Sequence, residues 1–489
     1  MKKAVKRTGR FPLLVAGCYA LLGAAAVILP IIMSLAETPF FYGNRFVYFG
    51  LCGGVALAAI AVIELRRRKG ASIETLLPAL AFFSVGFYFL IFITECWAKS
   101  CDYLVYEGAA VAVLQGGDLY ASGYPYPPLT AQLLEKVYIV SESVAAFFQL
   151  DRDGAFSWDV TFYLYQCGQY LATILCFYLC YKFASRAGLS LKAALVLVTA
   201  IFILNDPLIR TLRFNQVNLW VLDLILLAVL VMERYPAVSG VALSFGAHIK
   251  LYPLILLLPW AAIKRRTAVL WAVIGFLSIV VVQTDWVRNW KWWTQFLAFL
   301  PSIPRYPHFR NTCFQNFVYH FSEFIGGIFH INAASVNTFA TVVTVVGTLA
   351  AVIWFVARFV KRERVLSELA QSGAPGEGMP DCKTVRLFSH TVDALALALL
   401  ISPMAWEHHY VFALPIIIWA FATRGNDKAW QVGFAAFLIL ALPTFDFFIL
   451  SYHRFVGLLL LVFYTSPGPL RYQPSGKFGV LTPAASYKS

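Results

Sequence analysis

The chain has 489 residues, 60% of them hydrophobic and only 13% charged, about half the charged share of an average soluble protein. That composition excludes a water-soluble globular domain. The formal charge of +14 lies in clusters between apolar runs and not in one basic stripe, which is a signal of membrane topology and speaks against nucleic-acid binding.

In chain order, MKKAVKRTGR precedes a long apolar run. The run is too long for a signal-peptide core and a second one follows, so it reads as a retained signal-anchor helix. Apolar windows of membrane-spanning length recur at 11–34, 46–65, 75–96, 160–183, 193–205, 217–232, 267–283, 334–357, 387–401, 409–422, 429–448 and 455–466, given that about 20 residues cross a bilayer core as a helix. The expected fold class is therefore all-α, a polytopic membrane protein with about 12–14 transmembrane helices. Residues 1–70 form an N-terminal helix pair, 71–466 the main body, and 467–489 a cytoplasmic tail.

Basic clusters orient the chain. Lys2, Lys3, Lys6, Arg7 and Arg10 precede the first span, and Arg66, Arg67, Arg68 and Lys69 follow the second, which places both termini in the cytoplasm. The loop 97–160 holds three basic residues against eight acidic ones, so it belongs outside, as does 284–333. The linker 361–386, with its Gly- and Pro-containing QSGAPGEGMP run, belongs inside. Segment 236–263 is ambiguous because both of its flanks, Glu233–Arg234 and Lys264–Arg266, look cytoplasmic. A break at His248, Lys250 and Pro253 suggests two short helices that enter and return; one ordinary crossing is the alternative. The nine cysteines show no metal-binding spacing and read as packing residues.

In so apolar a chain, ionisable residues near span ends mark candidate sites. Asp102 and Glu107 follow the third span, on an amphipathic helix expected from about residue 102 to 114, with a turn at Gly116 and Gly117 and an extended YPYPPL stretch containing Tyr126. Taken alone, Asp102 is better suited to capping that helix. A second cluster comprises Asn205, Asp206, Arg210, Arg213, Asn215, Gln216 and Asn218. Its arginines suit a phosphate, or pair with Asp206. A third holds Ser402, Trp406, Glu407, His408 and His409; adjacent histidines point apart on a helix, and no metal motif accompanies them. The loop before residue 334 interleaves tryptophans with polar groups, which suits an interfacial belt and permits sugar stacking.

Asp102 with Tyr120, Tyr126, Pro127 and Pro128, the RFNQVN run from Arg213 to Asn218, HIKLYP from His248 to Pro253, and SPMAWEHH from Ser402 to His409 occur in that order. Together they resemble the polytopic glycosyltransferases of family 87 in the GT-C superfamily, over roughly residues 75–450. The resemblance implies transfer of a sugar, mannose or an arabinofuranosyl analogue, from a polyprenyl-phosphate donor to a lipid or glycan acceptor at the outer face, with inversion. It implies Asp102 as general base, Lys250 as the lysine of the K-x-x-P motif, and His408 or His409 at the polar end of the third motif. Arg210, Arg213, Lys250 and His409 are then the candidates for the donor phosphate, and Glu107, Tyr126, Gln216, Asn218 and His408 for further substrate contacts. No cofactor or metal is expected; the partners are the two substrates and membrane lipids, in a cell membrane such as the bacterial inner membrane.

The chain departs from the family pattern where Asn215 replaces the usual glycine, where Gln315 and Asn316 only loosely match a later motif, and where two additional spans precede the loop aspartate. A multi-pass transporter or lipid flippase is the competing class, since it too has about a dozen helices and broken pairs. Long outer segments favour the enzyme.

Overall fold

In the computed structural model, residues 99–150, 154–300, 308–371, 381–423, 427–442, 445 and 448–465 are described. The expected spans at 11–34, 46–65 and 75–96, the N-terminal pair and the tail beyond residue 466 lie outside them. Every regular element described is helical, as required of chains that must satisfy their backbone within lipid.

The elements are α1 (Cys101–Leu114), α2 (Leu129–Phe147), α3 (Ala155–Arg186), α4 (Leu191–Leu204), α5 (Asp206–Arg213), α6 (Asn218–Val231), α7 (Pro236–Ile249), a 3₁₀ turn (Tyr252–Leu256) and α8 (Leu257–Ala262). They continue with α9 (Arg266–Gln283), α10 (Lys291–Phe299), α11 (Phe314–Ile328), α12 (Ala333–Gln371), α13 (Cys382–Ile401), a 3₁₀ turn (Glu407–Ala413), α14 (Leu414–Thr423), α15 (Asp427–Ala441) and α16 (His453–Tyr464). Each apolar window predicted within the described residues contains a helix, although the one at 409–422 opens as a 3₁₀ turn and the helix in 429–448 ends at Ala441. By length and composition, however, among the described residues only Arg266–Gln283, Ala333–Glu368 and Cys382–Ile401 are sufficient alone to cross a membrane, and Leu191–Phe202 with Asp206–Arg213, bent by 59°, suffices if the pair is one broken span. Helices α6 and α7 have 14 residues each, about 21 Å at 1.5 Å per residue against a core of about 30 Å. Half-length helices of this kind leave polar backbone ends at membrane depth, which only a protein-lined site can shelter.

The ambiguous segment enters and returns. Gly240 lies so close to α9 that a Cβ would collide with Ala268 O; farther along, Gly275 adjoins Ser244 and His248 stacks on Phe276 with ring centroids 4.2 Å apart. Residue numbers rise together along the contact, so α7 and α9 run in the same direction. The chain between them must therefore come back, and the 3₁₀ turn and α8 bring it. Arg265 closes the hairpin by donating to Glu233 from Nη1 at 3.1 Å and also from Nη2, which places both flanks at one end. The break falls at Lys250, whose backbone is extended (φ −147°, ψ 139°).

The opposite end gathers the two long loops. Gln283 at the end of α9 donates to Gln132 of α2 at 2.8 Å, and Gln295 of α10 accepts from Leu119 N–H at 3.3 Å. Tyr120 stacks on Phe299 at 5.3 Å. The stretch before α11 is pinned to the one after α13: Thr312 N–H donates to Ala405 O (3.0 Å) and Glu407 N–H to Arg310 O (3.0 Å), and Asn311 Oδ1 accepts from Ala405 N–H at 2.9 Å. Basic residues 264–266 and the buried Arg358 and Arg362, both on Asp393, belong to the other end.

The hairpin makes a prediction. Of three single substitutions at exposed positions, Arg234→Cys and Arg266→Cys should react with a membrane-impermeant thiol reagent from one side, and Ser122→Cys from the other. Opposite labelling of Arg234→Cys and Arg266→Cys would restore a single crossing.

Candidate active site

Four separated pieces of chain converge at the loop end of the bundle. Helix α1 begins on a cap, but the cap is Ser100: its Oγ accepts from Tyr103 N–H at 3.2 Å. Asp102 therefore sits in the first turn, and the capping role that its position alone favoured belongs to Ser100.

The turn from Phe214 to Val217 supplies the next groups. Asn215 has φ +52°, in the left-handed region where asparagine is one of the few tolerated side chains; this explains how it stands in for glycine. Two residues of α3 hold the turn's backbone: Tyr165 OH donates to Asn215 O, and Gln169 Nε2 to Gln216 O at 2.8 Å. The buried Gln216 Oε1 accepts from Tyr106 OH (3.0 Å), Tyr126 OH (3.3 Å) and Lys250 Nζ (3.3 Å). Its amide nitrogen is left for Asp102, with which Gln216 also hydrogen-bonds.

Lys250 is 2% exposed. Its Nζ donates to Asn218 Oδ1 at 2.5 Å and meets His409 Nε2 at 3.2 Å. It also lies 4.5 Å from the centroid of the Tyr126 ring, a cation–π contact. His409 Nδ1 stands between Met404 O at 3.1 Å and Trp406 N at 3.2 Å; the tautomer with its proton on Nδ1, donated to Met404 O, leaves Nε2 as the acceptor for the lysine. Burial holds the Asp102 carboxyl above the usual carboxylate range; the Gln216 hydrogen bond and the Lys250 charge oppose that shift, and Glu407 adds to it.

The structure thus brings Asp102, Tyr126, Gln216, Asn218, Lys250 and His409 together. His408 lies beside them: its carbonyl accepts from Thr211 Oγ1 (3.1 Å) and Asn218 Nδ2 (3.2 Å), and its Nδ1 has no hydrogen-bond partner among the described residues. Two predicted contacts are placed elsewhere. Glu107 pairs with Lys99 at 3.1 Å, and Lys99 also pairs with Asp159 of α3 at 3.1 Å. Arg210 is buried between carboxylates, with Nε 3.0 Å from Asp206 Oδ2 and Nη1 on Glu407. Arg213 is half-buried at the end of α5. Among the described residues no three His, Cys, Asp or Glu side chains gather in a metal-binding group.

A residue the sequence reading missed completes the Arg210 cluster. Arg454, at the start of α16, donates from Nη2 to Asp206 and, at 2.8 Å, to Leu442 O; its Nη1 lies 3.9 Å from Glu407. Two arginines and two carboxylates so lock the turn bearing His408 and His409 to α5 and α16. A lone arginine before an apolar run was the available signal.

The sequence profile of glycosyltransferase family 87 matches residues 124–374, just over half of the chain. The chain belongs to this family. Comparison with curated proteins and with solved structures yields no match. The family 87 match contains Tyr126, Gln216, Asn218 and Lys250, while Asp102 and His409 fall outside it and join these residues through the fold.

Removing one member of a buried charge network leaves its partners unpaired, a loss of about 3–5 kcal/mol. Arg454→Met should accordingly lower the unfolding free energy of the solubilised protein by that order. An unchanged thermal transition would show that the cluster holds nothing in place.

Proposed function

We propose that this glycosyltransferase moves a sugar, mannose in the first instance, from a polyprenyl phosphate to a lipid or glycan acceptor on the extracytoplasmic side of a cell membrane, with inversion and with Asp102 as the general base. The observation that carries the proposal is the buried Lys250 ammonium, held by Asn218, Gln216, His409 and the Tyr126 ring beside the Asp102 carboxyl.

An inverting transfer needs one base, which takes the acceptor hydroxyl proton as its oxygen attacks C1 from the face opposite the departing phosphate. The C1–O bond to the phosphate breaks as the new one forms, and the phosphate leaves with the bonding electron pair. The Lys250 ammonium meets its growing charge in a site where water does not screen it, and His409 holds that ammonium in place through Nε2. With Arg210 engaged by two carboxylates, the phosphate contact rests on Lys250, and Arg210 acts by bracing the turn that carries His409. The unpartnered Nδ1 of His408 is available to a sugar hydroxyl. The loop end lies opposite the basic cluster at 264–266, which supports an outward-facing site. Nucleotide sugars are normally lacking there, and the chain has no glycine-rich phosphate loop.

Asp102→Asn should give a folded protein without transfer, because an amide cannot take the proton. In the wild type the acid limb of kcat/KM against pH should lie above the ordinary aspartate range. Activity rises with pH through that limb, since the base works ionised. Lys250→Met removes the charge that opposes the shift, so it should weaken donor use and move the limb to still higher pH. Near wild-type turnover by Asp102→Asn would remove the base assignment, and a limb unmoved in Lys250→Met would separate the lysine from the carboxylate.

A further inference from the structure

Ser100, the cap of α1, is fastened at two points to consecutive residues of the turn that carries Gln216. Its hydroxyl donates to Phe214 O at 2.6 Å, and its backbone N–H donates to Asn215 Oδ1 at 2.9 Å. Asp102 lies two residues beyond Ser100, and its partner Gln216 lies one residue beyond Asn215. The contacts form a closed loop: Ser100 to Asn215 by the side-chain amide, Asn215 to Gln216 by the chain, Gln216 to Asp102 by a hydrogen bond, and Asp102 back to Ser100 by the chain.

We propose that Asn215 is a positioning residue, whose side-chain oxygen clamps the start of α1 and thereby sets the Asp102 carboxyl against Gln216 and Lys250. The backbone alone does not require this side chain. At φ +52° a glycine is at least as well accommodated, and Tyr165 and Gln169 hold the turn through its carbonyls, whatever the residue. What glycine lacks is the acceptor for Ser100 N–H. Asn215 is fully buried, so no solvent replaces that acceptor directly, and the start of the helix bearing Asp102 loses one of the two fastenings that Ser100 makes to the turn. A carboxylate that has to accept a proton in flight depends on such placement; a misplacement of about 1 Å costs on the order of a hundredfold in rate.

The inference rests on Asp102 being the base, and its test separates the two. In the full-length protein, Asn215→Gly should leave the thermal transition in place and speed amide hydrogen exchange in the first turns of α1. With whichever of polyprenyl-phosphate mannose or polyprenyl-phosphate arabinofuranose the wild type turns over, it should also lower kcat by about tenfold at unchanged donor KM. Asn215→Asp keeps the acceptor oxygen and should retain most of kcat, each variant being measured on its own pH plateau so that the added carboxyl does not enter through titration. Unchanged α1 exchange in Asn215→Gly, wild-type kcat despite faster exchange, or an Asn215→Asp variant as slow as Asn215→Gly would each overturn the clamp. Hydrogen exchange requires no turnover, so failure of the base assignment shows separately, as an active Asp102→Asn.

Discussion

A buried ammonium group in a bundle surrounded by lipid has to be solvated by protein, and the arrangement of this molecule's loop end follows from that need. Lys250 has an amide oxygen from Asn218, a second from Gln216, an imidazole nitrogen from His409 and the face of Tyr126. These come from three stretches of chain distant in sequence from one another and from the lysine. Half-length α7 has to stop where the lysine emerges, and the chain has to return through the 3₁₀ turn and α8 before α9 can begin. A helix running straight through would pair every backbone group but would direct the lysine along its own side, away from the turn at Asn215. The cost of the break is met by shelter among neighbouring helices.

A second buried network stands next to the first and serves it. Arg210, Arg454, Asp206 and Glu407 are all buried. Ion pairs at such depth contribute little net stability over a well-packed apolar core. Their effect is geometric: Glu407 directly precedes His408 and His409, and both arginines reach it. The antiparallel bridge between Asn311 and Trp406 approaches the same turn from the other side. The imidazole that meets the lysine is thus braced by α5, by α16 and by the loop before α11, leaving it little freedom to turn away.

Much of this was legible in the sequence, and what was not has physical reasons. Apolar runs located the long helices of the bundle, because lipid forces each span to declare itself as an apolar run, whereas α2, α10 and α11 lie in stretches that read as outer loops. The matching look of the two flanks at Glu233–Arg234 and Lys264–Arg266 signalled a return at Lys250, and the parallel α7 and α9 with the Glu233–Arg265 pair place both flanks at one end. The RFNQVN, HIKLYP and SPMAWEHH runs predicted that Gln216, Asn218, Lys250 and His409 belong together. The partners of charged groups were harder to read. Asp206 lies four residues before Arg210, a spacing readable on any helix, but Glu407 lies 197 residues away, and Arg454 farther still. No local pattern encodes those pairings. Ser100 as the cap was readable in principle, since serine is a preferred N-cap residue; Asp102, two places on, drew attention because it was acidic. The double attachment of Ser100 to Phe214 and Asn215 depends on a turn whose left-handed residue is not glycine, and only the structure reveals it.

The most direct test of the chemistry assigned to this site uses purified protein in liposomes, given radiolabelled polyprenyl-phosphate sugars one at a time and nucleotide sugars in parallel. Transfer from a polyprenyl-phosphate sugar, with the anomeric configuration of the product inverted and donor use falling as the prenyl chain is shortened, is the predicted result. Efficient transfer from a nucleotide sugar, with no prenyl carrier added or copurified, would contradict it.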